Sequence, residues 1–223
     1  MNSEDIIMVK ELSEECRETL KLEQEKEKAV GTIKKCFRIK KSKEEITPSK
    51  YQTKEWRHDQ EWWRGGQKNE CELYQRGMVK TITKKECSKS NDRIQLDINK
   101  IIEETRPMKR EDAFEWTEDF DGLQKYNGRD VYYNFKMVVG AGGAQTRSLR
   151  EVSHFIKGQL DYNTYNINDI KYFVNILDGD ESYKLIKKYD YILNKGKYKF
   201  VKNFVYIGDT YGFIDWFDQL NVQ

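Results

Sequence analysis

The sequence has few of the residues that build metal-stabilised or disulfide-stabilised small domains. It contains two histidines and four cysteines in 223 residues, and no two cysteines form a Cys-x-x-Cys pair. A structural zinc site needs four convergent ligands at closer spacings. We therefore expect free thiols in a reducing compartment. The cysteines are Cys16, Cys36, Cys71 and Cys87.

Long apolar runs and a strong charge imbalance are also missing. No run reaches the roughly 18 apolar residues of a membrane span, and the N-terminus lacks the apolar segment of a signal peptide. These absences predict a soluble, cytoplasmic protein without a membrane partner. Lys and Arg total 40 against 38 Asp and Glu, so the net charge is +2. Nucleic-acid binding depends on a local basic groove, so this sum neither demands nor excludes it.

The composition that is present predicts a folded chain with an N-terminal arm. Hydrophobic residues make up 37% and aromatic residues 13%, and a chain of this length buries roughly 70% of its unfolded surface in one large or two small domains. Residues 1–53 indicate a charged helix at 3–35 and a linker that Pro48 interrupts. The narrow apolar stripe of the helix favours a solvated arm over a docking or oligomerisation helix.

Residues 54–110 combine aromatic and basic side chains. Such a mixture either contacts DNA, by stacking on bases and binding phosphates, or forms a packing cluster whose charges face water; packing is the more common outcome. Further along, the pattern predicts a β-prone piece at 78–83 and a helix at 94–104 that ends before Pro107. The aromatic and basic residues are Trp56, Arg57, His58, Trp62, Trp63 and Arg64.

The C-terminal half, residues 111–223, alternates between strand-like and helix-like patterns. Asn127-Gly128 marks a hairpin turn between the first two strands. Residues 161–169 indicate a loop, and the closing YGFIDWF a packed edge. The order predicts an α/β fold in which a hairpin and crossover units form a mixed sheet flanked by helices. The expected strands are 113–123, 129–139, 171–177 and 204–208, and the expected helices are 145–160 and 181–193.

Two side chains of the predicted hairpin have the chemistry of phosphodiester hydrolysis. Asp121 is expected at the end of the first strand and Lys136 in the middle of the second. A carboxylate can hold a divalent cation that neutralises developing charge and acidifies an attacking water, and a neighbouring lysine can orient that water. Mg²⁺ takes one or two carboxylates together with water and phosphate oxygens, so a second acid is needed.

Asp121 followed by Asn134-Phe135-Lys136 resembles the PD-(D/E)XK nuclease pattern, in which an Asp precedes an acid-x-Lys on the next strand. The chain departs from that pattern at Asn134, which offers a carbonyl oxygen but no negative charge. A subset of the family, restriction enzymes with a migrated glutamate, supplies the missing acid from the following helix. The stretch FKMVVGAGGAQTRSLRE is similar to theirs and assigns this role to Glu151, fifteen residues after Lys136.

This resemblance implies a restriction-endonuclease-like fold with a helical N-terminal extension and a catalytic core at 111–223. It implies a type II restriction endonuclease that cleaves double-stranded DNA. Asp121 and Glu151 would hold Mg²⁺, or Mn²⁺, and Lys136 would position the water. A palindromic cutter needs two active sites, so a homodimer or higher homo-oligomer is expected. The turn before the helix is expected to contact phosphates and purine edges, through Gly142, Gln145, Arg147 and Arg150.

Each assigned residue also has an ordinary structural interpretation. Asp121 can belong to a common turn, Lys136 and Glu151 can be solvated charges, and Gln145 or Thr146 can cap the helix. Weaker candidates for direct participation in the chemistry are Glu118, Asp119 and Asn134.

Other functions remain open at this point. VVGAGGA looks like a dinucleotide fingerprint, but its third glycine position falls on Gln145 and the preceding strand carries Asn134 and Lys136. The acids at 178–181 indicate a turn and a helix cap, with a metal ligand as the lesser alternative. A DNA-binding protein with a decayed nuclease core, marked by Asn134, is one alternative function. A protein-interaction module that uses the N-terminal helix is another.

Overall fold

The fold is built on a mixed four-stranded sheet flanked by helices. The computed structural model describes residues 49–64, 70–97, 99–102 and 116–220, within one compact unit at 47–223. The predicted arm lies outside the described residues as far as residue 48. Among the helices of the described residues, none is both long and apolar enough to cross a bilayer.

The element bounds follow the chain in order. The strands are β1 (Arg93–Gln95), β2 (Lys100–Ile102), β3 (Gly122–Tyr126), β4 (Arg129–Met137), β5 (Tyr172–Asp178) and β6 (Val205–Gly208). The α-helices are α1 (Lys54–Asp59), α2 (Glu61–Arg64), α3 (Glu70–Thr83), α4 (Gly143–Tyr165), α5 (Asp180–Leu185), α6 (Asp190–Leu193) and α7 (Thr210–Leu220). Short 3₁₀ helices occupy Ser49–Tyr51, Ile167–Asp169, Ile186–Tyr189, Gly196–Tyr198 and Lys202–Phe204.

The predicted hairpin forms the first two strands of the main sheet. β3 and β4 pair antiparallel, with Tyr126 opposite Arg129 at the closed end. Asn127 and Gly128 between them have φ values of 48° and 77°. Positive φ at both central residues is what a two-residue type I′ turn requires. The Asn-Gly pair therefore fixes the register of the hairpin, and the predicted turn is confirmed.

Helix α4 connects β4 to β5, and β5 and β6 extend the sheet in parallel, in the order β3-β4-β5-β6. Tyr132 on one face of β4 packs with Phe120, which lies 4.8 Å from Phe155 of α4 between ring centroids. Tyr133 on the other face contacts Phe213 of α7. Helices thus cover both faces of β4, which explains its apolar sequence. The predicted mixed α/β class is confirmed.

Two predictions before the main sheet are wrong. Residues 78–83 do not form a β piece, because they end helix α3. The predicted helix at 94–104 is replaced, as far as the described residues extend, by the antiparallel pair β1–β2, in which Ile94 is fully buried against the core. Tertiary burial outweighs local propensity in both segments. The residues that α3 buries share one helical face and are Gln75, Met78, Val79 and Ile82.

Other predicted bounds shift for identifiable reasons. The first strand begins only at Gly122, because Thr117 and Phe120 donate instead to backbone carbonyls of the β1 segment, at 2.9 and 2.8 Å. Helix α4 continues into the predicted loop because Tyr162 and Asn163 are buried. The predicted helix at 181–193 is divided by a 3₁₀ turn. The closing YGFIDWF, predicted as a packed edge, is part of helix α7 and buries Phe213, Ile214 and Phe217.

Candidate active site

Asp121 is fixed against the second strand of the hairpin. It directly precedes β3, so it does not end the first strand as the sequence predicts. Its N–H donates to the carbonyl of Tyr133 at 2.8 Å, and the N–H of Phe135 donates to its Oδ2 at 2.7 Å. Because two residues of β4 hold it, the carboxyl group of Asp121 stays beside the strand that carries Lys136.

Ionisation of the Asp121 carboxyl group is unfavourable in this position. Burial raises the pKa of Asp121 to about 6, against the lowering by the Phe135 N–H and by the positive charge of Lys136. Glu72 and Glu118 add to the rise, because like charges disfavour ionisation. A carboxyl group with this pKa is partly protonated just below neutrality, and a bound cation would favour its charged form.

Lys136 forms an ion pair with Glu118. Nζ of Lys136 donates to Oε2 of Glu118 at 3.0 Å, and the lysine side chain is 23% exposed. Burial opposes the positive charge, but Glu118 and Asp121 outweigh it and raise the pKa of Lys136. The lysine therefore stays an ammonium group at neutral pH. It can donate hydrogen bonds, but it does not accept a proton.

Helix α3 brings further charged side chains to this edge of the sheet. Arg76 donates from Nη2 to the carbonyl oxygen of Asp121 at 2.7 Å. The negative charge of Glu72 raises the pKa of both Asp121 and Lys136. Sequence reasoning missed these residues because it did not identify α3. The helical burial pattern of that segment was the available signal, since it places Glu72 and Arg76 four residues apart on one face.

Gln75 of α3 connects the ends of β4 and β5 to a buried acid. Its Nε2 donates to the carbonyl oxygens of Lys136 and Ile176, at 3.3 and 3.4 Å, and to Oδ2 of Asp178 at 2.9 Å. Asp178 also accepts from the N–H and hydroxyl of Thr210, at 2.9 and 2.7 Å. Burial raises the pKa of Asp178 to about 6 against these hydrogen bonds. Asp178 thus caps helix α7, a structural role.

Asn134 lies in a buried amide network. Its side chain is 1% exposed, and its Nδ2 donates to Oδ1 of Asn175 on β5 at 3.1 Å. Asn175 exchanges hydrogen bonds with Gln159 of α4, at 2.8 and 3.0 Å, and donates to the carbonyl of Tyr206. Asn134 therefore joins β4, β5 and α4. This network accounts for an amide at the position where the nuclease pattern has an acid.

Glu151 is an exposed residue in the first half of α4. It precedes Gly158 by seven residues, or about two helical turns, so the two share one face of the helix. A Cβ at Gly158 would lie 3.3 Å from the side chain of Thr117. At Gly158 this face therefore packs on Leu96 and Thr117. The acids that raise the pKa of Asp121 are Glu72 and Glu118, so the role of Glu151 as a metal ligand stays a prediction.

The turn before α4 has a different cap from the expected one. Gly142 is the N-cap residue, so Gln145 and Thr146 lie within the first turns of the helix and neither occupies the predicted cap position. The side chains of these two residues lie outside the described part of the chain. Arg147 and Arg150 are exposed on α4, as a DNA contact requires.

The tryptophans of the 54–64 segment pack on one another. Trp62 stacks on Tyr74 of α3, with ring centroids 5.1 Å apart, and Trp56 meets both rings edge-on. The guanidinium of Arg57 lies over the ring of Trp63 at 4.2 Å. These contacts fit the packing interpretation, in which the aromatic side chains attach α1 and α2 to α3.

The donors around Asp121 suit a hard divalent cation. In the part of the chain that the structure describes, no group of three or more His, Cys, Asp or Glu side chains could hold a metal. Mg²⁺ needs fewer, because one or two carboxylates suffice when water and substrate phosphates complete its shell. The half-buried carboxyl group of Asp121, with its raised pKa and acidic neighbours, fits that requirement.

No protein-family model, curated protein or solved structure matches this chain. The chemistry of its own residues therefore carries the functional assignment.

Proposed function

We propose that this protein is a metal-dependent endonuclease that hydrolyses the phosphodiester bonds of DNA. One observation carries the proposal. A half-buried carboxyl group, Asp121, whose pKa burial raises, lies beside a lysine, Lys136, that Glu118 keeps positively charged. An acid that favours a bound cation, next to a fixed ammonium group, suits an anionic substrate that brings oxygen ligands of its own.

Each residue has a distinct part in this reaction. Asp121, with Glu151 as the second carboxylate, would hold the ion, which neutralises charge on the phosphate and lowers the pKa of a bound water. Lys136 donates hydrogen bonds to the attacking water, which would lose its proton to solvent once the ion has lowered its pKa, and stabilises the charge that develops as the water oxygen bonds to phosphorus. The bond from phosphorus to the leaving oxygen breaks, and that oxygen takes up a proton from solvent. The Phe135 N–H orients Asp121, and Glu118 keeps Lys136 protonated.

The element order supports a restriction-endonuclease-like core within this proposal. The hairpin β3–β4, helix α4 and parallel strand β5 follow the strand–strand–helix–strand order that accompanies the motif. We extend the proposal to a type II restriction endonuclease that acts in the cytoplasm on double-stranded DNA as a homodimer or higher homo-oligomer. Its expected DNA contacts are Gly142, Gln145, Arg147 and Arg150.

Plasmid cleavage with Mg²⁺ or Mn²⁺ tests the lysine. We expect discrete fragments from the wild type and at least a hundredfold slower cleavage from Lys136→Ala, because charge stabilisation of this kind contributes roughly 10²–10³ in rate. Lys171→Ala is the matched control, since Lys171 is also half-buried and paired with two acids, Asp130 and Asp169. Equal cleavage by Lys136→Ala and Lys171→Ala would contradict the assignment.

The second carboxylate is tested separately. If Glu151 holds the ion, Glu151→Gln abolishes cleavage, whereas Glu118→Gln leaves metal affinity unchanged and slows the reaction only through Lys136. Mn²⁺ titration by calorimetry distinguishes the two variants. Full Mn²⁺ affinity in Glu151→Gln together with its loss in Glu118→Gln would assign the second ligand to Glu118 instead.

A DNA-binding protein with a decayed core is the second candidate function. The commitment of Asn134 to a buried amide network favours it, because that position supplies no acid to the site. This candidate predicts DNA binding that weakens steeply with salt and no cleavage with any divalent metal. A filter-binding assay at increasing NaCl, run beside the plasmid assay, separates the two functions.

A further inference from the structure

The segment between β5 and β6 begins with two acids, Asp180 and Glu181, and is strongly basic after them. Residues 183–204 contain seven lysines and one acid, Asp190, a balance of +6. The whole chain has a net charge of only +2, so the remaining residues together carry −4. We call the exposed residues of 183–204 the lysine surface. The lysines are Lys184, Lys187, Lys188, Lys195, Lys197, Lys199 and Lys202.

The core holds this segment firmly from its inner side. Tyr189 and Tyr198 are buried and donate from their hydroxyl groups to α4, to the carbonyl of Leu149 at 2.8 Å and to Asp161 at 2.9 Å. Ile192 is also fully buried in the core. With these apolar side chains directed inward, the lysines between them are directed to solvent, and all but Lys202 are exposed.

Large aromatic rings are exposed to solvent among these lysines. Phe200 is 81% exposed and Tyr191 63% exposed. Nζ of Lys199 lies 6.0 Å from the ring centroid of Phe200, and Nζ of Lys195 lies 5.6 Å from that of Tyr191. An exposed ring gains no burial energy in the free protein, whereas a base stacked on it would bury its face.

The pairing of ammonium groups with exposed rings favours one kind of partner. Lysines bind the phosphates of a nucleic-acid strand, and neighbouring aromatic rings stack on its unpaired bases. An anionic membrane would instead need a continuous amphipathic helix with a free apolar face. The helical pieces here are only three to six residues long, and the apolar side chains that they bury, Tyr189, Ile192 and Tyr198, already pack in the core.

From these observations we infer that the lysine surface binds a nucleic-acid strand whose bases are unpaired. The inference rests on the proposed nuclease function and goes beyond its double-stranded substrate, because it assigns a second surface, outside the catalytic residues, to an unpaired strand. Helix α4 contacts both regions, since Gly158 packs near Thr117 and Asp161 pairs with Lys197. On its solvent face, Arg150 adds one further positive charge.

Fluorescence anisotropy with a labelled oligothymidylate of about 20 nucleotides tests the surface. The full chain is used with the Lys136→Ala substitution and EDTA, so that binding is measured without cleavage. Lys195→Gln with Lys199→Gln should weaken binding on the order of tenfold and make the salt slope shallower by about 1.4. Lys80→Gln with Lys125→Gln removes the same charge elsewhere, from exposed lysines, and should change affinity at most twofold.

The aromatic rings have their own variant and control. Tyr191→Ala with Phe200→Ala should lower affinity for the single strand on the order of tenfold and affinity for a matched duplex less than threefold. Tyr165→Ala removes a ring that is 71% exposed outside the surface and should bind as the parent does.

Unchanged single-strand affinity in both surface variants would overturn the inference. A second result would also overturn it. In that result the parent chain binds phosphatidylserine vesicles, and both surface variants lose the vesicles while they still bind the oligonucleotide. Neither result depends on catalysis. If the wild type cleaves plasmid and all variants bind equally well, the nuclease proposal stands and the inference about the lysine surface fails. If the surface variants lose binding and the wild type never cleaves, the inference about the surface stands and the nuclease proposal fails.

Discussion

Asp121 and Asp178 are two carboxyl groups whose pKa is raised alike by burial but whose neighbours differ. Burial raises the pKa of each to about 6. Asp178 has its oxygens occupied by Gln75 and Thr210, so it is complete as a structural cap. Asp121 instead lies among ionisable groups, with Lys136 as its nearest opposing charge. Perturbed acids surrounded by other charges are the ones to test for chemistry.

Asp178 should make the folded state more stable in acid. Its folded pKa, about 6, lies above the ordinary 3.8, so the folded protein takes up this proton first as the pH falls. The linked stability is fully present below pH 3.8 and is lost as the pH rises through 6, a change of about 3 kcal/mol. Asp178→Asn removes this contribution.

Urea unfolding of wild type and Asp178→Asn between pH 4 and 7 measures the effect. The stability of the wild type relative to the variant should rise by about 2.4 kcal/mol from pH 7 to pH 4. Contributions of the other acids cancel in the difference. Parallel pH curves for the two proteins would show that Asp178 is not the group responsible.

At the scale of elements, the end of β4 contacts the turn between β5 and α5. This contact forms one edge of the site. The carbonyl of Val138 accepts from the N–H groups of Glu181 and Ser182, at 3.1 and 3.3 Å. Gly179 in this turn has φ 97° and ψ 150°, a conformation that is nearly restricted to glycine. A Cβ there would lie 2.4 Å from the Val138 carbonyl oxygen.

Gly179→Ala should therefore destabilise the protein by about 3 kcal/mol, from backbone strain and from the clash with Val138. Gly196→Ala is the matched control, because a Cβ at Gly196 meets nothing within 4 Å, and its effect should stay within about 0.5 kcal/mol. Differential scanning calorimetry compares the two. Equal melting temperatures would mean that the turn can relax around a side chain.

Local sequence patterns predicted those elements whose signals are local. Asn127-Gly128 placed the hairpin turn, and the apolar run at 171–177 placed β5 to within one residue at each end. Helix α3 was missed because β-branched residues obscured its period. Its contribution to the site could not be seen in any short window, since Gln75 and Lys136 meet across 61 residues. The pairing of Asn134 with Asn175 likewise follows only from the parallel register.

Charge is distributed unevenly over the whole molecule. Residues 183–204 carry a balance of +6 while the chain totals +2, and the candidate site gathers Asp121, Glu118 and Glu72 around one lysine. An acidic site alone repels phosphate, so attraction of a nucleic acid must come from elsewhere on the protein or from a bound cation. A basic surface and a cation-dependent acidic centre are complementary parts of the nuclease that we propose.

The most direct test of Asp121 as the ligand of a catalytic metal is a plasmid cleavage assay. It compares the wild type with Asp121→Asn, each with Mg²⁺ and with EDTA. Asparagine keeps an oxygen for the Phe135 N–H, so the variant should fold as the wild type does, which circular dichroism checks. The account predicts cleavage only by the wild type and only with the metal. Cleavage by Asp121→Asn at the wild-type rate, or no cleavage by the wild type with Mg²⁺ or Mn²⁺, would contradict it.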